Sequence, residues 1–152
     1  MTNPSPADPL AERAIAFFDA LSVHTLDSVD AFYAENVRFE DPMVTLDGRD
    51  RMRSYYAHIY RNDPKLRWEF PDVIGAPPSR TRALVWIMHM EVDGLNGGRS
   101  ISVPGISRLV FDDDDRCSYH RDYFDMGAFV YENVPVLRGV IGFVKKKLHG
   151  DF

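Results

Sequence analysis

Cysteine is nearly missing from the 152 residues: Cys117 stands alone. One thiol excludes an internal disulfide and any cysteine-based metal cluster. A chain that makes no use of disulfides is expected in a reducing compartment, here the cytosol. An excess of positive charge is missing too. Eighteen lysines and arginines face 23 acids, a formal net charge of −5. Phosphate backbones are bound through clustered cations, so no nucleic-acid partner is expected. The basic cluster "KKK" at 145–147 is too small to reverse that. No apolar run reaches the roughly 18 residues that cross a bilayer. "MTNPSPADPL" has neither the basic nor the apolar region of a signal peptide. A Gly-rich loop after a strand, a His-x-x-x-His helix and a G-x-S-x-G elbow are also lacking. No metal and no cofactor is therefore expected.

What is there suits one folded domain. Hydrophobic residues make up 45% of the chain, too many for disorder and enough for a core that needs no staples. Residues 1–8 read as a loose arm. Asp8-Pro9 is a helix start, a side-chain cap followed by proline at the first helical position. Leu10, Ala14, Phe17 or Phe18 and Leu21 then recur at helical spacing. Thr25 can cap a second short helix carrying Leu26, Val29, Phe32 and Tyr33. "VRFED" reads as a strand that Pro42 ends. Gly48 turns the chain into a third helix, with Met52, Tyr55 or Tyr56 and Ile59 inward. From "KLRWEFPDV" onward the period changes to two. Long strands are expected at 80–93, 99–112 and 116–125, joined by "GLNGG" and "DDDD". Pro104-Gly105 in mid-strand implies a bend. The order predicts an α+β fold: a cone-shaped curved antiparallel sheet wrapped around N-terminal helices, spanning 9–132. The tail, 133–152, reads as a terminal helix or arm. A cone with an open mouth is a natural small-molecule pocket.

Three stretches carry candidate chemistry. In "VRFED" alternation puts Val37, Phe39 and Asp41 on the apolar face and leaves Arg38 and Glu40 outside. Asp41 either faces the pocket or caps the turn before Pro42. In "YHRDYFD" His120, Asp122 and Phe124 share a face and could form a proton-handling pair. In "WIMHMEVD" His89 and Glu91 share a face with Val85 and Ile87; they either sit at the wet end of a pocket or are bonded within the core. Cys117, beside "DDDD", lies where a thiol pKa should rise, and is not read as a nucleophile.

With "FYAENVRFEDP", "DGRDRMRSYY" and "FDDDDRCSYHRDYFD" in place, residues 10 to 130 resemble the nuclear-transport-factor-2-like superfamily. This group includes SnoaL-like polyketide cyclases, ketosteroid isomerases and limonene-epoxide hydrolases. The resemblance implies a cystatin-like α+β barrel, usually dimeric, with a deep apolar pocket. It places Asp41 at the isomerase general base. The isomerase oxyanion donors fall on Phe17, which has no donor, and on Ser107, a weaker one, so a steroid isomerase is not expected. The hydrolase and cyclase comparison places an acid–base group at Asp122 and a second pair at His89 and Glu91, all on the pocket side. Phe17, Phe39, Tyr56, Ser107 and Phe124 are then the implied pocket lining.

Two readings stay open. One is a cofactor-independent enzyme using Asp41 or Asp122, with His89 or His120, for isomerisation, cyclisation or hydration of a small apolar molecule. The other is a non-catalytic ligand-binding or assembly module, since a fold alone does not fix function. A homodimer is expected through the exposed sheet face, with Trp86 buried against the twin. The short basic patch implies no stable membrane association.

Overall fold

The structure, a computed structural model, describes residues 8–91, 93 and 96–149. The arm expected at 1–8 lies outside them except for Asp8, as do parts of the "GLNGG" turn and the last three residues of the tail.

Three helices and two strands open the fold: α1 (Pro9–Ala20), α2 (Ser28–Phe32), β1 (Tyr33–Glu40), β2 (Thr45–Asp47) and α3 (Arg49–Tyr60). Four strands follow, β3 (Lys65–Ile74), β4 (Thr81–Glu91), β5 (Ile101–Phe111) and β6 (Cys117–Phe124), then α4 (Met126–Phe129) and α5 (Pro135–His149). The strands form one curved, unclosed six-stranded sheet in the order β2-β1-β6-β5-β4-β3. The expected all-antiparallel meander is corrected at one place. β1 runs parallel to β6, pairing Phe39 with His120 and Glu40 with Arg121. That pairing, between segments far apart in the chain, has no local signature in either strand.

Asp8 caps α1 as expected, accepting from the Ala11 N–H at 3.3 Å. It also does something no local pattern announces. Its carboxylate takes Nε and Nη2 of Arg82 at 2.6 and 3.0 Å, and Arg82 is 1% exposed. Two carbonyls, of Ser79 and Thr81, accept from Nη1. The guanidinium holds the Asp8 carboxyl below its usual range. A buried charge is tolerated only when paired like this, and the pair fastens α1 to β4.

The core sits in the hollow of the sheet. Phe17, Phe18, Phe32, Tyr33, Trp86 and Phe111 pack there, with Phe17 stacked on Phe32 at 4.1 Å between centroids. Each large side chain removed from water contributes about 1.5–3 kcal/mol. Along β4 the even-numbered residues Leu84, Trp86 and Met90 are buried, while Val85, Ile87 and His89 are less so. Trp86, expected outside at a dimer contact, is therefore an inner residue, 3% exposed. Both of its neighbours are apolar, so composition did not reveal the parity. Gly105, opposite Trp86 across β4 and β5, makes room for it: a Cβ there would lie 2.2 Å from the indole ring. The Pro104-Gly105 pair thus seats a large ring on the sheet.

Candidate functional site

β6 carries the centre of the site. His120, Asp122 and Phe124, grouped on one face by alternation, point into the hollow, and Tyr119, Arg121 and Tyr123 point away. His120 Nε2 lies 2.7 Å from Asp122 Oδ1, and its Nδ1 lies 2.7 Å from the Tyr33 hydroxyl. Tyr33 in turn meets the Tyr56 hydroxyl at 2.8 Å. On the other side Ser107, paired with Asp122 across β5 and β6, donates to the same Oδ1 at 2.5 Å. The Trp86 indole N–H donates to Ser107 Oγ at 2.8 Å. Six side chains from α3, β1, β4, β5 and β6 thus form one polar chain through an aromatic core.

The donors fix its direction. Burial pushes the Tyr33 and Tyr56 phenols well above their usual pKa, so each keeps a proton to donate. A chain running Tyr56 to Tyr33 to His120 Nδ1, with the imidazole proton on Nε2 facing Asp122, uses every donor. Both Ser107 and His120 then converge on Oδ1. Oδ2 receives no protein donor among the described residues, and the Asp122 side chain is 20% exposed. Phe39 and Phe18 close on the imidazole edge-on, at 4.9 and 5.6 Å. The carboxylate is held on one side and open on the other.

Asp41 is brought close without joining the chain. The parallel register sets it, just beyond β1, beside Asp122. Tyr55 feels both carboxylates: burial first, then its bond to Asp41, raises that phenol. Yet Asp41 Oδ1 accepts the Met43 and Val44 N–H groups at 2.7 Å each, and Oδ2 accepts from Tyr55 at 2.7 Å. Its oxygens cap the Pro42 turn, the plainer of its two readings.

His89 and Glu91 are not brought to this site. They lie on the outer face of β4. His89 touches Ser102 through Nδ1 at 2.7 Å and Glu69 through Nε2 at 3.0 Å. Glu69 also takes Arg67 at 2.6 Å, which is the main reason its carboxyl is held below the usual range. Glu91 pairs with Lys65 at 3.3 Å. Their placement on the pocket side is corrected: the inner parity of β4 belongs to Trp86.

The implied pocket residues do meet. Phe17 lies beneath Tyr33, 5.5 Å between centroids, Phe124 packs on Trp86, and Phe39, Tyr56 and Ser107 surround the His120–Asp122 pair. Tyr33 was missed because it was read as the last apolar residue of the second helix, whereas that helix ends at Phe32 and Tyr33 opens β1. Cys117 is buried, and burial more than the neighbouring acids pushes its thiol up. No three His, Cys, Asp or Glu side chains converge among the described residues. Two surface grooves lie elsewhere. One of about 470 Å³ is lined by Ile74, Ala83, Ile106, Arg108 and Tyr123 on the outer face. One of about 190 Å³ adjoins His89 and Glu91. The second holds an imidazole and a carboxylate too, but His89 has both nitrogens bonded and Glu91 is paired with Lys65, so the open oxygen of Asp122, rather than the volume, marks the site.

The SnoaL-like domain family matches residues 14–120. The chain belongs to this family. A candidate SnoaL-like polyketide cyclase of Jannaschia sp. CCS1 superposes with a TM-score of 0.70 at 14% identity, covering 88% of this chain and 97% of that one. An M. tuberculosis LEH-like epoxide hydrolase gives 0.66 at 18% identity, over 89% and 94%. A protein with a ketosteroid isomerase-like fold from Catenulispora acidiphila, in complex with trimethylamine, gives 0.67 at 14%, over 85% and 95%. At such identities these SnoaL-like relatives share a fold, and the reaction must be argued from the site. No curated protein matches by sequence.

Proposed function

We propose that this SnoaL-like chain is a cofactor-independent acid–base enzyme for a small apolar molecule, with Asp122 as the group that accepts and returns a proton. The observation that carries this is the one-sided anchoring of Asp122. Ser107 and His120 hold Oδ1, leaving Oδ2 to face an incoming substrate. A carbon next to a carbonyl would give its proton to Oδ2, and the electron pair would pass to the carbonyl oxygen as an enolate. Return of the proton at another carbon completes an isomerisation. Attack of the enolate carbon on a second carbonyl closes a ring. In hydration the same oxygen would take a proton from water. The Nε2–H of His120 and the hydroxyl of Ser107 stabilise the carboxylate at each return. General acid–base help of this kind is worth about 10²–10⁴-fold. Asp41, occupied by three donors, serves the rim and is not assigned the proton.

The test needs no known substrate. Incorporation of solvent deuterium next to the carbonyl would be followed in a panel of cyclic ketones and β-dicarbonyls. Asp122→Asn keeps an acceptor for Ser107 and His120 and removes the base. Exchange by wild type and its loss in the variant support the reading. Exchange unaffected by the substitution, or no exchange from a panel that binds, turns to the second reading.

That second reading is a ligand-binding or dimeric assembly module. It draws support from the outer face, where Ile74, Ile106 and Tyr123 are exposed around the 470 Å³ groove. Homodimerisation through this face belongs to either reading, and light scattering that returned a monomer mass would refute it.

A further inference from the structure

α5 is a 15-residue helix, PVLRGVIGFVKKKLH, about 22 Å long. At 100° per residue its apolar side chains gather on one half: Val136, Val140, Phe143, Val144 and Leu148 among them. Arg138, Lys145, Lys146 and His149 occupy the other half, while Lys147 falls between Val136 and Val140 on the apolar side. None of its residues is buried, and Val136, Phe143 and Leu148 are 77%, 68% and 80% exposed. Its second half is tied to the turn before the helix by an ion pair between Lys145 and Glu132. The apolar half faces nothing among the described residues that buries it.

We propose that α5 is a reversible docking element for an anionic lipid surface. The charge distribution selects this occupant. The helix has four cations, Arg138 and Lys145–Lys147, and no acid. Taking these four from the chain's −5 leaves −9 on the remainder. An anionic surface therefore repels the body and attracts the helix, so that α5 alone makes the contact. A basic polar half opposite a wide apolar half is the pattern of helices that lie in the headgroup region. "KKK" by itself is a short patch, but the helix adds Arg138 and an apolar face that Lys147 alone interrupts. A second copy is the weaker fit. The exposed groove that could receive α5 is lined by Arg108, and Arg121 lies over the Tyr123 ring at its edge, so like charges would meet. Gly139 and Gly142 add a further sign. A Cβ at either would meet nothing within 4 Å, so neither glycine is required by packing. Both weaken the helix in water, which suits a segment that a surface completes. This proposal does not rest on the acid–base reading.

The full-length chain would be co-sedimented with vesicles of phosphatidylcholine and phosphatidylglycerol in equal parts, and with phosphatidylcholine alone. Binding is expected to the mixed vesicles only, and is expected to fall in high salt. Replacing Lys145, Lys146 and Lys147 by Gln should lower partitioning on the order of 100-fold, since each cation near an anionic leaflet contributes about one factor of five. Phe143→Asp should abolish it. Gly139→Ala with Gly142→Ala should tighten it several-fold by favouring the helix. Since no α5 residue is buried, these variants keep the body intact, and Trp fluorescence verifies that. Equal binding to both vesicles, or binding unchanged by the lysine substitutions, overturns the proposal. So does a chain that ignores vesicles while Phe143→Asp splits a dimer, which would assign α5 to a second copy.

Discussion

The sheet carries a serine, a histidine and a carboxylate in contact on each of its faces, and the two clusters are wired in opposite ways. Inside, Ser107 and His120 both point at Asp122, so the carboxylate is the hub. Outside, Ser102 and Glu69 both point at His89, so the imidazole is the hub and both its nitrogens are taken. The inner hub keeps one oxygen free in an aromatic shell. The outer acid is shared with Arg67 and stands in water. Hydrogen bonds in a dry setting are strong and costly to break, whereas exposed ion pairs are worth little. A hydroxyl, an imidazole and a carboxylate thus leave one carboxylate oxygen open on one face and make a surface brace on the other.

Breaking the two hubs should give the largest contrast. Asp122→Asn is expected to lower turnover of an identified substrate by about 10²–10⁴-fold. Glu69→Gln, which removes the outer acid, should leave it unchanged in the same assay. Equal losses would mean that the outer cluster shares in the reaction and that the comparison is wrong.

Stability should separate the two histidines next. His120→Ala leaves the Tyr33 hydroxyl without an acceptor in a core that is 0% exposed there, and opens a cavity. A cost of about 3 kcal/mol is expected, read from urea unfolding. His89→Ala, on the outer face, should stay within about 0.5 kcal/mol. The serines should follow at smaller scale. Ser107→Ala orphans the buried Trp86 N–H, for about 1–3 kcal/mol and an altered indole emission. Ser102→Ala should alter neither.

These contrasts show what could be read from the chain alone. β1 has one apolar and one charged face, so alternation placed Phe39; in β6 alternation only grouped His120 with Asp122, and the resemblance was needed to turn that face inward. The helix carrying Tyr56 was legible from Met52 and Ile59 at helical spacing. β4 defeated the same reasoning, because Val85 and Ile87 outside are as apolar as Trp86 and Met88 inside. With both parities plausible, an assumed hairpin length put His89 and Glu91 in the pocket. Tyr33 was hidden where α2 passes straight into β1 and was read as helical, and β2, three residues long, is too short to show a period. The parallel β1–β6 pairing and the Asp8–Arg82 bond, 74 positions apart, depend on the closed fold and leave no local trace. Asp41 shows a further limit. Its parity was right, but parity gives the direction of a side chain and not which donors it meets on arrival.

The smallest effect at neutral pH sharpens the comparison in another way. Tyr33 and Tyr56 sit at the end of the inner chain, fully enclosed, and burial raises both phenols well above 10. A group whose folded pKa is raised lends stability that is fully present below its unfolded pKa and is lost as pH rises beyond it. The unfolded phenols ionise near 10. Nothing is therefore expected at pH 7. Above pH 10 the unfolded state gains from ionising both groups while the native state cannot, and stability should fall. Tyr33→Phe and Tyr56→Phe should each flatten that fall, and Tyr33→Phe should lower stability more at pH 7, because it leaves both Tyr56 and His120 Nδ1 unpaired whereas Tyr56→Phe leaves Tyr33 bonded to His120. Phenolate absorbance measured alongside circular dichroism checks this. If these two phenols ionise before the helical signal is lost, water reaches them in the folded state. The inner cluster would then be no drier than the outer one, and its claim to a poised carboxylate would weaken with it.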